Sequence, residues 1–165
     1  MSSAEYGDQA NSTIKDSGDQ SLAAIIEEPR GYPVVVQLDE IVRRLISKET
    51  VAFDPSNREG VPIAHGLYAI YTTKGVCLHA GRTQSANLQH RLFTQHYAGG
   101  GAAAGSDLVQ KIQSRKVAAN KASAQAWIRT NCVFKWVEVP NPVMRHWAEH
   151  RLLSFLRPIW CVPKK

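Results

Sequence analysis

The stretch Gly66–Gly81, GLYAIYTTKGVCLHAG, decides how the rest of the chain is read. Gly66–Tyr71 is a short apolar and aromatic run suited to a strand. Thr72-Thr73-Lys74-Gly75 supplies a turn and Val76–Ala80 a second strand, so the stretch predicts a β-hairpin that Gly81 stops. Downstream, a helix is expected from about Ser85 to Tyr97, with Leu88 and Leu92 one turn apart. Ala98–Gly105 (AGGGAAAG) reads as a flexible connector. Ser106 then caps a helix from Asp107 to about Val117, and Lys121–Thr130 reads as a further helix. Cys132–Val139 (CVFKWVEV) is a third strand, broken by Pro140 and Pro142. Pro142 suits the first turn of a long final helix that ends near Arg157, before Pro158.

Upstream of the hairpin the composition changes. Residues 1–30 are rich in Ser, Asp, Gln and Gly and read as a disordered acidic tail, with one apolar patch at Leu22–Ile26. Residues 31–62 form an N-terminal extension with one helix. In it Tyr32–Leu38 (YPVVVQL) reads as a strand or extended segment. Asp39 is the expected N-cap of a helix through Ser47 whose Ile41, Val42, Leu45 and Ile46 share a face, and Thr50–Pro62 reads as loop. The fold class expected is α/β: a small central sheet of three strands (about 66–71, 76–80 and 132–139) flanked by helices, in a domain spanning 63–165.

The net charge of +6 conceals a division. Up to Pro62 there are 11 acidic and 6 basic residues; from Ile63 onward there are 3 acids (Asp107, Glu138 and Glu149) and 14 bases. So basic a segment suits a phosphate-bearing partner, because bound Lys and Arg release the counterions condensed on nucleic acid. No apolar stretch approaches the roughly 20 residues needed to span a bilayer. Met1–Gln20 has no apolar signal core. The three cysteines (Cys77, Cys132 and Cys161) are odd in number, far apart and form no CxxC pair, which argues against a disulfide framework and a thiolate zinc site. The expectation is a cytoplasmic protein with no membrane partner. Gly99-Gly100-Gly101 is not a nucleotide loop, since no Gly-Lys-Ser/Thr follows it.

Four elements then occur in a set order: Gly66-Leu67-Tyr68 on the first hairpin strand, His79-Ala80-Gly81 on the second, Arg91 on the following helix, and Glu149 on the last. Over about 95 residues this resembles the GIY-YIG nucleases. The resemblance implies a divalent-metal-dependent endonuclease that hydrolyses phosphodiester bonds, in DNA rather than RNA. A lone core with little room for a separate DNA-reading domain is similar to the small restriction or defence members. The resemblance assigns Glu149 to hold one Mg²⁺ or Mn²⁺ ion and Arg91 to bind the scissile phosphate. It assigns Tyr68 to orient or deprotonate the attacking water. Helix phase at about 100° per residue puts Met144, Trp147, Ala148, Leu152, Phe155 and Leu156 on one arc, with Glu149 at its rim and His146, His150 and Arg157 on the far side.

The chain departs from the family pattern in places. His79 stands where the family usually has Tyr; it can relay a proton or simply pack in the strand. Arg82 follows Gly81 directly and is an alternative phosphate contact to Arg91, and Lys111 and Arg115 are further candidate nucleic-acid contacts. Some restriction members carry a His one turn after the Arg. Gln95 occupies that position here, and His96, also a candidate catalytic residue, lies about 100° further round an α-helix. Pro158-Ile159-Trp160-Cys161 lacks the Asn that many members have after the proline. A catalytically inactive GIY-YIG-like nucleic-acid-binding module is therefore the alternative reading. His146-Trp147-Ala148-Glu149-His150 also has the H-x-x-E-H spacing of inverted zinc peptidases, but no carboxylate follows Glu149 to complete such a site.

Overall fold

The structure is a computed structural model that describes residues 32–100 and 107–161. The acidic tail, its Leu22–Ile26 patch and the Ser106 cap lie outside the described residues.

The hairpin forms where its sequence places it. β2 (Gly66–Thr72) and β3 (Cys77–Arg82) pair antiparallel, with Tyr68 opposite Gly81 and Ile70 opposite His79, and a bulge after Ile70. Gly75 takes a positive φ of 85° in the connecting turn, a conformation that costs a residue without Cβ nothing. β4 (Cys132–Glu138) lies antiparallel on the other side of β2. The sheet has four strands, not three, in the order β1-β4-β2-β3, because Val51–Ala52 pairs with Val133 and Phe134 as β1. A two-residue edge strand is too short to carry a period-2 signature, so its sequence resembles loop. Pro55–Arg58, in the same expected loop, is a 3-10 turn capped by the Asp54 side chain.

The Tyr32–Leu38 strand and the Asp39 cap are both corrected: Tyr32–Ser47 is one continuous helix, α1. Its β-branched run, Val34–Val36, is exposed, while Val42 and Leu45 are buried and Leu38, Ile41 and Ile46 pack beside them. Burial of one apolar stripe overrode the local β preference.

Both faces of the sheet are covered. Strand alternation sends Leu67, Ala69 and Val137 to one side, where α1 and α4 (Pro142–Leu156) contribute Val42, Leu45, Ala148 and Leu152. The other side carries Tyr68, Ile70, Phe134 and Trp136 against three further helices. These are a π-helix (His90–Tyr97), α2 (Leu108–Ser114) and α3 (Lys121–Asn131). Asp107 caps α2 by accepting the Gln110 N–H, and Lys116 with φ 58° closes the turn beyond it. On α4 the buried stripe is narrower than helix phase predicts: Trp147 and Phe155 are more than half exposed, and buried Arg145 takes a place beside Ala148 and Leu152. Its guanidinium is held by the carbonyls of Thr83, Val139 and Pro140, which ties the ends of β3 and β4 to the start of α4.

Gly66 is fixed by close approach. A Cβ there would lie 2.0 Å from the Val137 carbonyl oxygen, whereas one at Gly60 would meet nothing nearer than 3.5 Å. Gly66→Ala should therefore cost at least about 3 kcal/mol of stability and Gly60→Ala close to nothing, read from urea midpoints at unchanged slope. Equal midpoints for the two variants would contradict the register of β2 against β4.

Candidate active site

Period-2 alternation puts Tyr68, His79 and Gly81 on one face of the hairpin. Gly81 has no side chain where the Tyr68 ring needs room. The position of a Gly81 Cβ would be 3.0 Å from the Tyr68 hydroxyl and 3.5 Å from a Glu149 carboxylate oxygen. The two functional groups thus meet over this glycine, at a cleft of about 350 Å³ that Arg82, Arg91 and Gln95 also line.

Glu149 reaches the cleft from α4. Its Oε1 accepts the backbone N–H of Arg82 at 3.1 Å, an otherwise unpaired group on edge strand β3, and its Oε2 accepts Arg82 Nε–H at 2.7 Å. Both side chains of this ion pair are about one-fifth exposed. The rest of the β3 edge is covered by the chain after α4. There Ile159 and Trp160 donate N–H groups to the carbonyls of Cys77 and Leu78, which carries Cys161 to within 2.8 Å of His79 Nδ1.

The Tyr68 hydroxyl is buried and has three nitrogen neighbours: Arg91 Nε at 3.0 Å, His96 Nε2 at 2.9 Å and His79 Nε2 at 3.3 Å. Their roles follow from donor counting. Lys111 Nζ lies 3.1 Å from His79 Nδ1. As an ammonium it only donates, and the Cys161 thiol beside it has the Ala80 carbonyl to donate to at 3.4 Å, so Nδ1 accepts from Lys111 and the ring proton sits on Nε2, aimed at the tyrosine oxygen. Arg91 Nε–H also donates to that oxygen. Two donors fill its lone pairs, so the phenolic proton points to His96 Nε2. His96 then carries its own proton on Nδ1, an atom that is buried without a hydrogen-bond partner.

Helix winding makes the third contact. In an α-helix Arg91 pairs with Gln95, and the Arg91 guanidinium does donate to the Gln95 side chain. Residues 90–97 instead wind as a π-helix, seen in the Ala98 N–H bond to the Phe93 carbonyl five residues back. A turn closed five residues on places His96 directly after Arg91, and both face Tyr68. The sequence offers no sign of this change of winding.

Burial dominates the electrostatics. It pushes the Tyr68 phenol up to about 12, partly offset by Arg91. Burial, with the cations Lys111 and Arg91, pushes His79 down to about 3. His96 falls well below its ordinary value for the same first reason, followed by repulsion from His79, were both rings charged, and from the cations Arg91 and Lys111. Both imidazoles are therefore neutral and the phenol protonated at neutral pH. Burial also lowers Lys111 and raises the Cys161 thiol.

Each residue singled out in the sequence has a definite place. Tyr68, His79, Arg91 and His96 form one hydrogen-bonded group, with Glu149 beside it. Arg82 is engaged by Glu149. Lys111 is turned inward to His79 and the Trp160 carbonyl, so it braces the site from behind. Arg115 stays exposed, its guanidinium 5.2 Å from the centre of the Trp160 ring. Lys111 as a partner of His79, and Cys161 against the same nitrogen, had no local signal, since both depend on where α2 and the chain end cross β3.

One carboxylate facing an open cleft fits a hard divalent ion that keeps most of its water shell. Among the described residues no three ligating side chains gather, so such an ion would rest on Glu149 and water. No helix among them is long and apolar enough to cross a membrane. No protein-family profile, curated protein or solved structure matches the chain.

An unfolded histidine takes up its proton near about pH 6.5, whereas folded His79 does so only near 3. Below about pH 6.5 the unfolded chain binds more protons, so stability falls on acidification through that window. Unfolding free energy should therefore drop between about pH 7 and pH 4, and His79→Gln should flatten the drop. The same slope in both proteins would contradict a buried neutral His79.

Proposed function

We propose that the cleft hydrolyses phosphodiester bonds in DNA as a divalent-metal-dependent endonuclease of the GIY-YIG type. The observation that carries the reading is the convergence over Gly81 of a buried phenol, a guanidinium and a carboxylate. The cleft is cationic: Arg82 and Arg91 face one carboxylate, a balance suited to a phosphodiester.

When Arg91 turns its Nε–H from the tyrosine oxygen to the phosphate, one Tyr68 lone pair opens to the cleft. Tyr68 then receives a proton from the attacking water as its own passes to His96 Nε2, the water oxygen bonds to phosphorus as the P–O3′ bond breaks, and the departing O3′ takes a proton from bulk water. The His79 N–H holds the negative charge that appears transiently on the tyrosine oxygen. Burial and nearby cations resist a charged His96 in the free protein. The phosphate's growing negative charge offsets that resistance during the step. Arg91 opposes the same growing charge from the cleft wall. Glu149 would hold a Mg²⁺ or Mn²⁺ ion, which would supply further charge relief at the phosphate. Arg82, which lines the cleft beside Glu149, is a further phosphate contact.

A specific observation favours the second reading, a non-catalytic nucleic-acid-binding module: Arg82 already occupies both Glu149 oxygens. Plasmid cleavage with Mg²⁺ or Mn²⁺ separates the two. The parent should nick or linearise DNA, and Glu149→Ala and Arg91→Ala should each lose on the order of 10²-fold or more in rate. Cutting unchanged in both variants would show the site misassigned. Tight, salt-sensitive DNA binding without cleavage would install the binding module.

A further inference from the structure

The H-x-x-E-H run is split by the fold. Glu149 turns into the cleft toward Arg82, while His146 and His150, one helical turn apart on α4, remain exposed together. Their ring centres are 4.7 Å apart and their planes stand at 90°. We propose that His146 and His150 form a chelating site for a borderline transition-metal ion of the Ni²⁺, Cu²⁺ or Zn²⁺ class. It is separate from the cleft and independent of its activity.

The spacing is what decides this. An ion at a metal–nitrogen distance of about 2.0–2.1 Å lies roughly 3.2 Å from each ring centre, so two rings ligating at about 90–109° sit roughly 4.5–5.2 Å apart. The observed separation falls inside that interval. Each imidazole binds through a lone pair in its own plane. Parallel stacked rings share no such point, whereas the crossing planes of these edge-to-face rings meet in a line on which one ion could lie once a nitrogen of each ring turns to it. Neighbouring cations are held elsewhere: Arg145 is buried on backbone carbonyls and Arg151 is paired with Asp39. Imidazole prefers the later first-row ions to Mg²⁺ or Ca²⁺, so this pair selects differently from a lone carboxylate. Among the described residues no third ligating side chain joins it, and water fills the remaining positions.

Isothermal titration of the full, untagged chain with NiCl₂ tests the proposal. One saturable Ni²⁺ per chain is expected, persisting in excess Mg²⁺ and in Glu149→Gln. His146→Ala and His150→Ala should each weaken it on the order of tenfold or more, because the second ligand of a chelate binds intramolecularly. Both positions are exposed, and far-UV circular dichroism checks that the variants fold. The proposal is overturned by an absence of saturable binding, by binding that survives both alanine variants, or by binding that Glu149→Gln or Mg²⁺ abolishes.

Discussion

Three nitrogens crowd one buried oxygen, and much of the molecule serves to hold them there. The Tyr68 hydroxyl accepts from Arg91 and His79 and donates to His96. Four elements assemble the group: Tyr68 on β2, His79 on β3, Arg91 and His96 on the π-helix, with Lys111 of α2 behind His79. Removing the hydroxyl would strand two donors and an acceptor in a site where each unmade bond costs about 1–3 kcal/mol. The same low-dielectric setting keeps the phenol protonated and both imidazoles uncharged. A small shift of charge in the cleft can then move a proton along the group.

The glycines make the convergence possible. Gly66 lets β2 lie against the Val137 carbonyl, and Gly81 leaves room for the Tyr68 ring to meet Glu149. Glu149 caps an open N–H on the β3 edge and so crosses from the helical layer behind the sheet to the cleft on its other face. That crossing separates it from His146 and His150 on the same helix and makes a peptidase-like reading of the run untenable.

The hairpin, β4 and the final helix were legible in the sequence because apolar, strand-forming runs are set off by clear punctuation: the Thr72-Thr73-Lys74-Gly75 turn, Pro140, and Pro142 at the start of the helix. Tyr68, His79, Gly81, Arg91 and Glu149 could be singled out because their order along the chain resembles the GIY-YIG pattern. Three features were hidden by tertiary context. The Val34–Val36 run has a β preference that an apolar helical stripe from Leu38 to Leu45 overrides. β1 is two residues long and exists only through its pairing with β4. The π winding of residues 90–97 shifts His96 onto the Arg91 face, while α-helical phase assigns that place to Gln95. Nothing in the sequence pairs Lys111 or Cys161 with His79, since α2 and the chain end bring them together only where they cross the β3 edge.

Everything proposed for the chemistry rests on which way the protons point around Tyr68. Nitrogen-15 NMR of the two imidazoles at neutral pH reads this directly, since the two neutral tautomers and the cation have distinct ring-nitrogen shifts. The account predicts two neutral rings of opposite tautomer, with the proton of His79 on Nε2 and that of His96 on Nδ1. A charged ring, or a His96 proton on Nε2, would contradict it.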